Sequence, residues 1–259
     1  MRQLELDLRG AAGSHIRWME VAGPPGAPVQ VFLHGLGASS SHDFPEIAQH
    51  PSLAALGRRS LLVDLLGFGY SDRPADFGYS LEEHARAVAA VLDAERVAAA
   101  DVVGHSLGGS IGLALAALRP DLVRGLVLGE ANLRRGRGQL SRWVADWSEE
   151  DFLARGMAEY AALTPWPEYA ASRRLADPVA LHRSAKGLVH GTDRDLATVL
   201  AGHPGPKAFL VGERSRPCEE EPDARAAGAR VLTVPDSGHL MLFDNPAGFA
   251  ERVAESIAR

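Results

Sequence analysis

The stretch Asp101-Val102-Val103-Gly104-His105-Ser106-Leu107-Gly108-Gly109, continued by SIGLALAAL, constrains this chain more than any other segment. The apolar pair after Asp101 reads as a buried strand, and the small and apolar residues after Ser106 read as a helix that must stop before Pro120. Only a tight turn is left to join them. A serine on such a turn is held in a strained backbone conformation. Glycines two residues before and two after it let strand and helix come close enough for the hydroxyl to stand free at the helix N-terminus. A serine that is merely an N-cap is the plainer alternative, but the five-residue pattern, the strand and the helix all agree on a tight turn. A phosphate-binding loop is disfavoured because GHSLGGS lacks the lysine such a loop needs.

Around this turn the apolar pattern predicts about eight strands. Leu4, Leu6 and Leu8 alternate with Glu5 and Asp7, as an edge strand would. His15–Val21 reads as a second strand, and the turn Gly23-Pro24-Pro25-Gly26 predicts a hairpin feeding the buried run Val29–Leu33. Short strands follow at 60–64, 101–104 and 122–128, with a helix over 81–98 whose Leu81, Ala85, Val88 and Leu92 share one face. Two more strands are expected at 207–211 and Arg230–Val234, and a closing helix at Pro246–Ile257 with its proline near the start. Short strands alternating with helices predict a mostly parallel sheet with crossover helices, an α/β architecture.

Between Glu130 and Pro206 the strand signals fade, and Trp143, Trp147, Tyr160, Trp166 and Tyr169 lie among Ala, Arg and Glu. So long a segment is too long for a bare loop, and it predicts a helical cap over one end of the sheet, inserted after the sixth strand. The expected division is core 1–130, cap 131–206 and core 207–259. The spacing of Trp143 and Trp147 places both rings on one helix face, as pocket lining or as anchors.

Composition removes several function classes. The 27 Lys and Arg against 33 Asp and Glu give a net charge of −6, and the basic stretch 134–137 has no aromatic stripe beside it, so nucleic-acid binding is not expected. No apolar run is long enough to span a membrane, and the N-terminus lacks a secretory signal, so the expected location is the cytoplasm. The single cysteine, Cys218, can form no internal disulfide, and the carboxylates beside it oppose a thiolate. His182, His190 and His203 have no carboxylates at ligand spacing, so no metal is expected.

With Ser106 on its turn, His34-Gly35-Leu36-Gly37 after the third strand, Gly67-Phe68-Gly69-Tyr70-Ser71-Asp72 after the fourth and Ser237-Gly238-His239 after the last, nearly the whole chain resembles the α/β-hydrolase family, in its cap-bearing esterase and lipase branch. The resemblance implies a nucleophilic Ser106, a base His239 and an oxyanion hole made by the backbone N–H groups of Leu36 and Leu107. The histidine also stands on its own chemistry: it follows an apolar strand and a turn at the end of the sheet where ligands bind, and its pKa suits proton transfer near neutrality. His105 beside the serine should pack or hydrogen-bond rather than act as base, and His34 should tie its loop. Asp64 and Asp72 are expected to be structural, and Ser39, Ser40, Ser41 and His42 are possible lining groups.

The third triad member departs from the family pattern. After the seventh strand, Gly212-Glu213-Arg214-Ser215 carries a serine where the family places an aspartate. Some members resemble an alternative in which the acid ends the strand before the cap, and RGLVLGEANL puts Glu130 there. Glu213, Asp236, Glu219 to Glu221 and Asp223 remain open, and a salt bridge from Glu130 to an arginine of RRGR is the non-catalytic reading. The expected activity is cofactor-free hydrolysis of a small or medium, partly apolar carboxylic ester through an acyl-enzyme, with substrate and water as the only partners. Alternatives on the same apparatus are a thioester, lactone, amide or carbon–carbon bond, or a ligand-binding receptor without turnover. Monomer and homodimer are both compatible with the sequence.

Overall fold

The computed structural model describes residues 1–164 and 166–258. Eight strands form one sheet: β1 (Arg2–Glu5), β2 (His15–Val21), β3 (Val29–Leu33), β4 (Arg59–Asp64), β5 (Ala100–His105), β6 (Val123–Gly129), β7 (Lys207–Gly212) and β8 (Arg230–Val234). Their spatial order is β1-β2-β4-β3-β5-β6-β7-β8. Strands β3 to β8 run parallel, while β2 is antiparallel to both β1 and β4. The central strands are continuous apolar runs because helices cover both faces.

Alternation along each strand divides the interior in two. Val31, Leu33, Leu61, Val63 and Val102 face one way, toward the helices Leu81–Ala94 and Leu107–Leu118. Phe32, Leu62, Val103 and Val127 face the other way, toward Phe249 and Val253 of the helix Pro246–Ile257. Between β6 and β7 the chain leaves the sheet for a helical cap, with helices Gln139–Ala145, Met157–Leu163, Pro167–Arg173, Pro178–His190 and Leu196–Gly202.

Three expectations need correction. The hairpin between β2 and β3 does not form: β4 lies between them, and β2 instead makes a hairpin with β1. The Gly-Pro-Pro-Gly turn reverses the chain but does not choose partners, and β3, buried at all five residues, takes a central place with β4 and β5 on its flanks. The helix expected over 81–98 ends at Ala94. There Arg96 adopts φ 54°, and the Val97 N–H bonds Leu92 O while the Arg96 N–H bonds Asp93 O, a Schellman stop built without glycine. Trp147 lies beyond the helix Gln139–Ala145, so the two tryptophans do not share a helix face. Their rings still meet edge-on at 5.6 Å.

Candidate active site

Ser106 sits between β5 and the helix Leu107–Leu118 with φ 51° and ψ −119°, a left-handed conformation that is costly for a side-chain-bearing residue. The flanking glycines have steric reasons. A Cβ on Gly104 would lie 2.5 Å from Gly108 O, and one on Gly108 would lie 2.2 Å from Leu33 O. The Ser106 N–H donates to Gly129 O at 2.7 Å, which fastens the turn to β6. Its side chain makes no N-cap bond to the helix it precedes, so the N-cap reading does not describe it. Leu107 opens that helix, where backbone N–H groups have no partner within the helix.

The loop after β3 runs beside this turn: a Cβ on Gly35 would come within 3.5 Å of Ser106 Cβ. His34 holds the loop, with Nδ1 donating to Gly35 O at 2.8 Å and Nε2 accepting from the Leu65 N–H at 3.1 Å. Burial lowers the His34 pKa, so this neutral tautomer persists. Asp64 is buried and takes hydrogen bonds from Ser39 Oγ, the Ser41 N–H, Ser41 Oγ and the Tyr70 N–H. It thereby joins the loops after β3 and β4. Asp72 accepts from the His15 N–H and pairs with Arg17.

Glu130 directly follows β6 with φ 43°, its N–H bonded to Leu210 O at 3.0 Å. Its Oε1 accepts from the Gly212 N–H at 2.9 Å, and its Oε2 accepts from His239 Nδ1 at 2.7 Å. Burial pushes the carboxyl pKa up, but the bonds from His239 and the Gly212 N–H outweigh it and leave the group below its ordinary value. Ser215, at the position where the family pattern has an acid, lies near the same carboxylate. The imidazole carries its proton on Nδ1 in this arrangement and keeps Nε2 as an acceptor.

Among the described residues no other candidate carboxylate pairs with His239. Glu213 Oε2 accepts from the Asp236 N–H, and Asp236 is exposed at φ 51°. Arg134 pairs with Asp195 and Asp223, and Arg137 pairs with Glu220 and Asp223. His239 has two supports: His105, expected to pack or hydrogen-bond rather than act as base, and Asp244, which the sequence did not single out. His105 Nε2 donates to the His239 carbonyl at 2.7 Å with the rings 4.9 Å apart, and Asp244 accepts from the Gly238 N–H at 2.7 Å. Burial, with the neighbouring His239 adding to it, drops the His105 pKa to about 3, which keeps it neutral. Burial raises the Cys218 thiol.

The profile of the α/β hydrolase fold matches residues 28–164, more than half the chain. The chain belongs to the α/β-hydrolase fold family. A haloalkane dehalogenase of Bradyrhizobium diazoefficiens is 36% identical to this α/β-hydrolase over 100% of the chain and 86% of its own length. The dihydrolipoyllysine-residue acetyltransferase component of the acetoin cleaving system of Pseudomonas putida is 29% identical over 88% of the chain and 63% of its own, so the chain spans less than two thirds of that relative. A structure from work on carboxylesterases of Nitrososphaera gargenis superposes with a TM-score of 0.84 over 99% of this chain and 98% of that one, at 13% identity. Among the described residues no helix of this α/β-hydrolase is long and apolar enough to cross a membrane, and no group of three or more His, Cys, Asp or Glu could hold a metal.

Proposed function

We propose that this α/β-hydrolase cleaves small or medium, partly apolar carboxylic esters through an acyl-enzyme on Ser106. The observation that carries the reading is the 2.7 Å bond from His239 Nδ1 to the Glu130 carboxylate, in a chain where, among the described residues, Ser106 is the one serine at positive φ. In this reading Ser106 Oγ attacks the ester carbonyl and passes its proton to His239 Nε2, while Glu130 holds the ring and stabilises the imidazolium. The carbonyl oxygen becomes an oxyanion beside the N–H groups of Leu36 and Leu107. Collapse expels the alcohol, which takes the proton from His239. Water, deprotonated by His239, then attacks the acyl carbon and frees Ser106 and the acid.

The nucleophile also bears on the halide chemistry named in one relative. A carboxylate displacing halide from a saturated carbon leaves an ester that water can cleave at its carbonyl. Serine would leave an ether, with no carbonyl for water to attack. Ser106 therefore fits acyl transfer, and the cap would select the acyl or alcohol group. A fluorophosphonate probe should label the wild-type protein at Ser106 and leave Ser106→Ala unlabelled. Absence of labelling, together with no turnover across a panel of short- and medium-chain p-nitrophenyl esters, would favour a receptor.

A further inference from the structure

Two cap tyrosines reach the loop that carries Leu36. Tyr160, from the helix Met157–Leu163, and Tyr169, from Pro167–Arg173, are both buried, and their hydroxyls lie 2.6 Å apart. Tyr169 donates to the Leu36 carbonyl at 2.5 Å, while Tyr160 stands 3.5 Å from it. Each phenol has one proton. With that of Tyr169 committed to Leu36 O, that of Tyr160 goes to Tyr169, which fixes the order Tyr160, Tyr169, Leu36. Burial raises both phenol pKa values, that of Tyr160 to about 12, so both remain donors.

The carbonyl they hold belongs to a turn with an intrinsic freedom. The Ala38 N–H closes onto Gly35 O at 3.2 Å, and Gly37 at the third position has φ 73°, the pattern of a type II turn. Its central peptide, Leu36 C=O with Gly37 N–H, distinguishes type II from type I and can rotate with the turn's ends in place. The Tyr169 bond opposes that rotation. Gly37 is also packed for this contact, since a Cβ there would lie 2.4 Å from Tyr169 Oη. The two peptide planes that meet at Leu36 Cα share their hinge, so holding the carbonyl restrains the direction of the Leu36 N–H.

We infer that Tyr169, backed by Tyr160, is a positioning residue that sets the oxyanion loop when the cap is seated, so that cap closure and transition-state stabilisation are coupled through one hydrogen bond. The catalytic half rests on the ester-hydrolase reading given above; the structural half does not.

The test compares Tyr169→Phe, Tyr160→Phe and the double variant with wild type. Hydrogen exchange over 34–38 should quicken in Tyr169→Phe, whether or not any ester is turned over. For an ester that wild type hydrolyses, kcat should fall about tenfold with KM within about twofold, a smaller loss than removing an oxyanion donor outright. Fluorophosphonate labelling of Ser106 should slow in parallel. Tyr160→Phe should lose less, and the double variant should match Tyr169→Phe because the two hydroxyls act in series. Unchanged exchange over 34–38 in Tyr169→Phe would overturn the tether. Quickened exchange with unchanged kcat and labelling rate, or a change confined to KM, would overturn the coupling. If wild type turns over no ester, the ester-hydrolase reading fails, and the exchange arm alone decides the tether.

Discussion

At the scale of single residues, the legible part of the candidate site is the part whose chemistry is written into its own neighbours. Ser106 is announced by Gly104 and Gly108, because close approach of strand and helix admits no other side chain. Glu130 is different: its place at the end of the strand before the cap pointed to it ahead of Glu213 and Asp236, but its partner His239 lies 109 residues away, and no local pattern pairs the two. Geometry makes the distinction: Glu130 meets the imidazole, and Glu213 holds the Asp236 N–H. Glu130→Gln should therefore lower kcat by about a hundredfold or more with little change in KM, whereas Glu213→Gln should leave kcat within about threefold. Equal losses in steady-state assays would reverse that ranking. Ser215 lies near the same carboxylate, so Ser215→Asp placed in a Glu130→Ala background should recover part of the lost kcat by returning an acid to the loop after β7. Recovery below twofold would mean that an acid at 215 cannot reach the imidazole.

At the scale of elements, apolar patterning identified every strand, because the central ones are apolar on both faces and their ends coincide with Gly, Pro or charge. Pairing was less legible. A turn between β2 and β3 looks the same whether the strands are neighbours or a third slides between them, and the partner of β2 is decided by β4, about forty residues further on. Helix ends depend on single dihedrals. The Leu81–Ala94 stop uses Arg96 at φ 54°, where glycine would be the recognisable signal. The Arg96 side chain is exposed, so Arg96→Gly should relieve the left-handed strain at little other cost. It should stabilise the fold by about 0.5–1 kcal/mol in urea unfolding. A destabilised variant would show that the arginine side chain supplies an attraction larger than the strain. Gly108→Ala should do the opposite, forcing a Cβ onto Leu33 O and separating helix from strand at the serine turn.

At the scale of the whole molecule, the seam between body and cap contains a group sensitive to acid. His84, on the body helix, is buried among Phe68, Phe77 and Tyr79 and bonds Ser184 of the cap helix Pro178–His190. Burial, with His34 nearby, lowers its pKa from 6.5 to about 3. Between those two values the unfolded chain binds the proton and the folded chain does not, so stability falls as pH drops from 6.5 toward 3, by about 1.4 kcal/mol per pH unit for one such group. Unfolding by urea at pH 4, 5 and 6 should show this slope in wild type, and His84→Phe should reduce it by about one proton. Superimposable slopes would place the acid sensitivity elsewhere, with His105 the next group to vary. The insertion itself was legible from the fading of strand pattern after Glu130. Its contact with the loop after β3 was not, because Tyr169 and Leu36 lie 133 residues apart. That contact has a consequence for recombination among relatives. Ser106, Glu130 and His239 all lie outside 131–206, so an exchanged cap leaves them in place on the recipient. The tether does not stay behind: a donor cap without a phenol over Leu36 would bring its own substrate pocket and leave the turn at Gly37 unmoored. Chimeras should therefore be chosen by the residue facing Gly37 as well as by the shape of the lid.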